Sequence, residues 1–151
     1  MNETEAASLA KAIAGECIAV RVRLLNRVIT SLYDRALQPL GLKANQGIML
    51  VFLCMVGQAT PGEVCKKLHM EKSTVSRNID RMRKKGWVDV ASQQEGVSQV
   101  IMVTAAGREL LAAAHVEWQK AQQQAKELIG SDGIAAVWTL HEGLKKNKGV
   151  G

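Results

Sequence analysis

Aromatic side chains are scarce in this chain: one tyrosine, one phenylalanine and three tryptophans make up 3% of the sequence. Proteins that grip single-stranded nucleic acid stack bases on such rings, so Tyr33, Phe52 and three scattered tryptophans argue against that mode of binding. Long apolar runs are also missing. The longest, Ile48 to Val56, is far short of the roughly 20 residues a membrane-spanning helix needs. The first turns carry Glu3 and Glu5 and no early lysine or arginine, which is unlike a secretory signal. Cysteines are few, odd in number and widely spaced (Cys17, Cys54 and Cys65), a usage that fits reduced thiols and a cytoplasmic setting.

Catalytic and metal-binding constellations are equally thin. His69, His115 and His141 have no cysteine or carboxylate neighbours at ligand spacing. No glycine-rich phosphate loop occurs. Ser8 and Lys11 reproduce a Ser-x-x-Lys spacing, but on an amphipathic helix and without the companion motifs of the acyl-transfer enzymes that use it. The expectation is a non-enzyme without cofactor or metal.

What the chain does have is apolar content and positive charge. Apolar residues form 47% of its 151 residues, enough for a real core, and the formal net charge is +6. A basic chain favours polyanionic partners, nucleic acid before membrane. Leu9, Ile13, Cys17, Val20, Leu24, Val28 and Leu32 recur at helical steps and predict one long helix from about Glu5 to Gln38, stopped by Pro39 and Gly41. A nearly all-apolar helix, Asn45 to Met55, reads as a buried strut. Thr60 and Pro61 open a short helix to Leu68, and a turn over His69 to Lys72 leads to a further helix, about Ser73 to Lys85, that ends at Gly86.

The period then changes. Trp87–Ser92 and Gln99–Thr104 read as two strands linked by a polar hairpin tip. Thr104 caps a long helix to about Ile129, and Ser131 or Asp132 caps a last one to Lys146. The fold expected is mostly α, an α+β winged helix-turn-helix. Its reading lobe spans 43–104, flanked by helical regions over 1–40 and 105–148.

The segment Thr60 to Met82 (TPGEVCKKLHMEKSTVSRNIDRM) carries the functional signal. Two short helices around a tight turn form a helix-turn-helix, whose second helix lies in the major groove of duplex DNA. On a wheel of about 100° per residue, Val75, Ile79 and Met82 form an inward stripe and Ser73, Arg77, Arg81 and Lys84 fall opposite. Ser73 and Thr74 stand at the helix start, where base edges are nearest. Arg77 can fork onto guanine, with Ser76 and Asn78 beside it. Lys72, Arg81, Lys84 and Lys85 suit phosphates. Between residues 60 and 90, eight basic side chains face four acidic ones, so most of the formal charge sits here.

These stretches resemble the MarR family of winged helix-turn-helix regulators. Lys72 to Val88 (KSTVSRNIDRMRKKGWV) is similar to the family's recognition helix and glycine exit, Leu40 to Gln46 (LGLKANQ) to the lead-in to its second helix, and Val103 to Arg108 (VTAAGR) to its strand-to-helix junction. The resemblance covers roughly residues 10 to 145. It implies a homodimer, with 1–40 and 105–148 as the helical dimerisation region, that binds duplex DNA at a pseudo-palindromic operator, commonly a repressor released by a small phenolic or lipophilic ligand or by oxidation. A ligand pocket is then expected between the dimer helices and the reading lobe, with Arg21, Met49, Phe52 and Trp118 as candidate lining and Cys17 as the redox candidate. The wing departs from the family pattern. Its tip (Gln93, Gln94, Glu95, Gly96, Val97, Ser98 and Gln99) has no basic residue, leaving Gln93, Gln94 and Ser98 for weaker DNA contacts. A winged helix turned to protein contact is the alternative that this departure raises.

Overall fold

The computed structural model describes residues 1–92 and 99–146. The chain order is α1 (Glu3–Glu16), α2 (Ile18–Leu37), a single 3-10 turn (Gln38–Leu40), α3 (Ala44–Val56), β1 (Gln58–Ala59), α4 (Pro61–Leu68), α5 (Lys72–Lys84), β2 (Val88–Ser92), β3 (Gln99–Val103) and α6 (Ala105–Lys146). Among the described residues no single helix is long and apolar enough to cross a membrane.

The expected long first helix is interrupted. Cys17 has extended backbone angles (φ −64°, ψ 113°) and at once ends α1 and begins α2. Arg21 reaches back from α2 to donate to the carbonyls of Cys17, at 3.0 Å, and of Gly15, so the last carbonyls of α1 are satisfied across the break. The apolar stripe runs through both helices, which is why periodicity alone joins them. Gly130 breaks α6 in the same way, with a left-handed φ of 73°, where the sequence places a boundary between Ile129 and Ser131. Glycine is suited to that position because it lacks a Cβ.

The core belongs to the central lobe. Leu42, Met49, Leu50, Leu53, Val64, Val75, Met82, Val88 and Ile101 are all fully buried and pack around α3, the apolar strut. α3 itself is started by its neighbour: Asp34 on α2 accepts from the Ala44 N–H at 2.8 Å, filling one of the donors that a helix start leaves open. α6 lies along α2, where Ala114, Ala121 and Ala125 are buried and small enough for close approach. Tyr33 on α2 donates its hydroxyl to Gln122 on α6, and its burial raises the phenol pKa above the ordinary value.

The wing's sheet has three strands rather than the two expected, in the order β1-β3-β2, all antiparallel. β1 pairs Ala59 with Ile101, and β2 pairs Val90 with the same residue from the other side. A two-residue strand carries no period of its own and exists only because β3 is beside it, so sequence pattern could not reveal it.

Candidate nucleic-acid interface

The helix-turn-helix is built by local capping. Thr60 accepts from the Glu63 N–H at 3.2 Å while the Glu63 carboxylate accepts from the Thr60 N–H at 2.7 Å, a reciprocal box that opens α4 with Pro61 at its first position. The carboxylate also accepts from the Thr60 hydroxyl at 3.0 Å, and the two bonds it accepts, the backbone one first, hold the Glu63 carboxyl below its ordinary pKa. α4 ends at His69, the non-glycine residue with a left-handed backbone (φ 51°) among those described. That single residue makes the tight turn from which α5 departs.

α5 presents three distinct sides. Val75, Ile79 and Met82 are buried, as the wheel requires. The outer ridge is Ser73, Arg77 and Lys84, all exposed. Arg77 folds its Nε onto the Ser73 carbonyl at 3.1 Å, which steadies the side chain and leaves its terminal nitrogens directed elsewhere. Among the described residues the ion pairs are confined to α6, and none engages Arg77, Arg81 or Lys84.

The two flanks of α5 each border a cleft. On the α2 side a polar cleft of about 270 Å³ is lined by Thr30, Asp34, Lys43, Asn45, Thr74, Arg77, Asn78 and Arg81. On the sheet side a larger one of about 490 Å³ runs between α4, α5 and the strands, with Cys65, Lys72, Ser76, Ile79 and Val90 among its walls. Lys72 and Ser76 therefore lie on the sheet-side flank and Thr74 on the other, Ser73 borders neither cleft, and Arg77, at the crest of the wheel, also reaches the cleft beside α2.

Besides Arg77, two of the expected contact residues are engaged within the protein. Asn78 is only 8% exposed and donates its amide to the Thr74 carbonyl at 2.9 Å. The wheel held the signal, since Asn78 stands only about 60° from Val75, nearer the core than the crest. Lys85, whose side chain is exposed, donates to the Gly41 carbonyl at 2.7 Å and stands 4.4 Å from the centre of the Trp87 ring. Gln93, Gln94 and Ser98 lie outside the described residues.

The four residues expected to line a ligand pocket sit in different settings within the single chain. Met49 is fully buried in the core, Phe52 packs against that core, and Trp118 is exposed on α6, stacked on His115. Arg21 is spent on the α1–α2 break. Neither cleft is lined by any of them. Cys17 sits half-buried at the helix break, distant in sequence from the half-buried Cys65 and the exposed Cys54.

A basic helix with a buried apolar inner face, mounted beside paired β strands and between long helices, defines the winged helix-turn-helix fold. Residues 40–96 match the model of the MarR family. A mutant of Escherichia coli MarR complexed with operator DNA has a similar structure, with TM-score 0.77 and 21% identity over 87% of this chain and 96% of that one. Similar too is Bordetella bronchiseptica BpsR, whose DNA binding is regulated by 6-hydroxynicotinic acid, with TM-score 0.76 and 17% identity over 87% and 95%. An HTH-type transcriptional regulator of Bacillus subtilis, YwoH, is 30% identical over 78 residues, 52% of this chain. The match spans 57% of that relative's length. The match to the MarR family model lies within the lobe and its approaches, and the chain as a whole shares the winged helix-turn-helix fold of these solved structures.

Proposed function

We propose that the protein is a cytoplasmic, sequence-specific regulator that binds duplex DNA as a homodimer, with α5 in the major groove. The observation that carries this reading is the crest of α5. Arg77 and Lys84 are exposed on one ridge, outside any ion pair among the described residues, above a fully buried Val75 and Met82. Arg77, one turn from the helix start, serves as a base reader, and Lys84 and Arg81 as phosphate contacts.

The dimer rests on a second observation. Large apolar side chains stay exposed along α1, α2 and α6, including Leu24 (62%), Trp138 (62%) and Leu140 (66%). Exposed apolar side chains gathered on three helices in this way favour a protein interface. A second copy would cover it and place two reading helices on one face, which makes the operator an inverted repeat.

A small organic anion fits the polar cleft beside α5, where Lys43, Arg77 and Arg81 converge with a single carboxylate, Asp34. An anion held there competes for Arg77, so binding it would release DNA and the protein would act as a repressor. The regulation of BpsR by an aromatic carboxylic acid supports that class of effector.

Selection of bound sites from random duplex DNA, with affinity measured at two salt concentrations, tests the reading. The expected result is an enriched inverted repeat whose binding weakens steeply with salt, because each neutralised phosphate releases counterions. No enrichment and no salt dependence would overturn it in favour of a winged helix used for protein contact.

A further inference from the structure

The exit of α5 is tied on two sides, and the ties lead to the two helices that frame the lobe. On one side Lys85, the last residue of α5's terminal turn, donates to the carbonyl of Gly41 at 2.7 Å. Gly41 closes the 3-10 turn that directly continues α2, with a left-handed φ of 65° and its own N–H on the Gln38 carbonyl at 2.8 Å. On the other side Thr104, at the entry to α6, donates its hydroxyl to the Gly86 carbonyl at 2.6 Å and its N–H to the Trp87 carbonyl at 3.1 Å. The Trp87 ring faces the Lys85 ammonium at 4.4 Å, so the lysine is held by a carbonyl and an aromatic ring together.

Nearer its start, α5 is separated from α2 by the polar cleft of about 270 Å³. Val75 and Ile79 seat the reading helix in the lobe's own core, so towards the frame it is fastened at its exit and separated by the cleft along the flank that faces α2. Its start lies twelve residues from Lys85, about 18 Å along the axis, so a swing of about 10° about the exit moves Ser73 by about 3 Å. A displacement of that size is enough to lose a base contact.

We propose that Lys85 is a positioning residue and not a phosphate contact. It sets the pitch of α5 against α2, and through two copies of that angle it sets the half-site spacing the dimer accepts. The DNA part of this inference rests on the regulator reading above; the pitch part does not.

Lys85→Met keeps the aliphatic stem over Trp87 and removes the donor. Two measurements test the assignment. In the first, spin labels encoded at Ser73 and Arg27 report the α5–α2 distance in the free protein. The variant should broaden that distribution by about 3 Å, and an unchanged distribution would overturn the proposal whether or not the protein binds DNA.

The second compares binding to the selected operator and to versions with the half-sites one base pair closer or farther, across a salt series. Lys85→Met should keep the wild-type salt slope and lose roughly fivefold in spacing discrimination, the scale of one cation–π contact and one hydrogen bond. Lys84→Ala should do the reverse, lowering the slope by about one and sparing discrimination. A slope lowered by Lys85→Met as much as by Lys84→Ala would return Lys85 to the phosphate contacts. If the unaltered protein binds no duplex, the regulator reading fails, and the distance measurement alone decides the role of Lys85.

Discussion

The reading lobe and the helical frame treat their apolar residues in opposite ways. In the lobe Met49, Leu50, Leu53, Val75 and Ile101 are completely shielded from solvent. In the frame Leu24, Trp138 and Leu140 stand more than half exposed, and α1 buries no residue at all. The lobe is a finished core that one chain can complete. The frame is complete only as a proposal, with a second copy laid against it. A stable lobe on an unfinished frame is what a two-fold DNA reader requires, because the reading head must hold its shape while the spacing between heads is set elsewhere.

The sharpest way to break this contrast is a matched pair of truncations. Leu50→Ala should destabilise the protein by about 2–5 kcal/mol at any concentration, since it opens a cavity in a closed core. Leu24→Ala should leave the dilute chain nearly unaffected and instead raise the protein concentration at which the sedimentation profile shifts from one copy to two. Equal, concentration-independent losses in chemical denaturation would erase the distinction between the regions.

The seam between lobe and frame gives the next effect. A Cβ at Gly107 would overlap the Trp87 carbonyl oxygen and come within 2.7 Å of Val103 Cγ1, both difficult to move. Gly107→Ala should therefore cost about 1–3 kcal/mol in thermal unfolding. A neutral result would mean that α6 can slide on the α5 exit, against the double tie described above.

On the lobe's outer face, Arg77→Ala should weaken binding to the selected site by about 1–3 kcal/mol and relax preference at one position per half-site. Equal loss on selected and random duplex would reassign Arg77 to the backbone. Stability should not change, because the residue is exposed.

The smallest effect is acid sensitivity at α4. The folded pKa of Glu63 is lowered by the Thr60 hydrogen bonds, so its contribution is present at neutral pH and fades as pH falls through that lowered value. Denaturant midpoints followed from neutral pH into the acid range should fall less for Glu63→Gln than for the unaltered protein. Parallel curves would show that the capping box does not couple to folding.

Much of this arrangement is legible in the sequence, for reasons that differ by element. The helix-turn-helix is readable because Thr60, Pro61 and Gly86 punctuate it and the stripe of Val75, Ile79 and Met82 orients it. The wing is readable because the apolar period changes after Trp87. The Cys17 break is not, because its carbonyls are satisfied by an arginine from the next helix rather than by a local stop signal. Nor is the occupation of Lys85, whose partner Gly41 lies 44 residues away. On a helical wheel Lys85 is one more basic residue, and only the fold distinguishes an engaged ammonium from a phosphate contact.

The three-stranded sheet has one further consequence. Residues 60–87, which contain both helices of the reading motif, leave the sheet at β1 and return at β2, and the strands on either side of them are paired to the same strand, β3. The segment's ends are pinned on either side of Ile101, so the sheet as well as the packing of the two helices offsets the entropy of closing it. The exposed positions of the reading motif can therefore diverge, while Ala59, Val90 and Ile101 hold its ends and Val64, Val75 and Met82 keep it seated in the core.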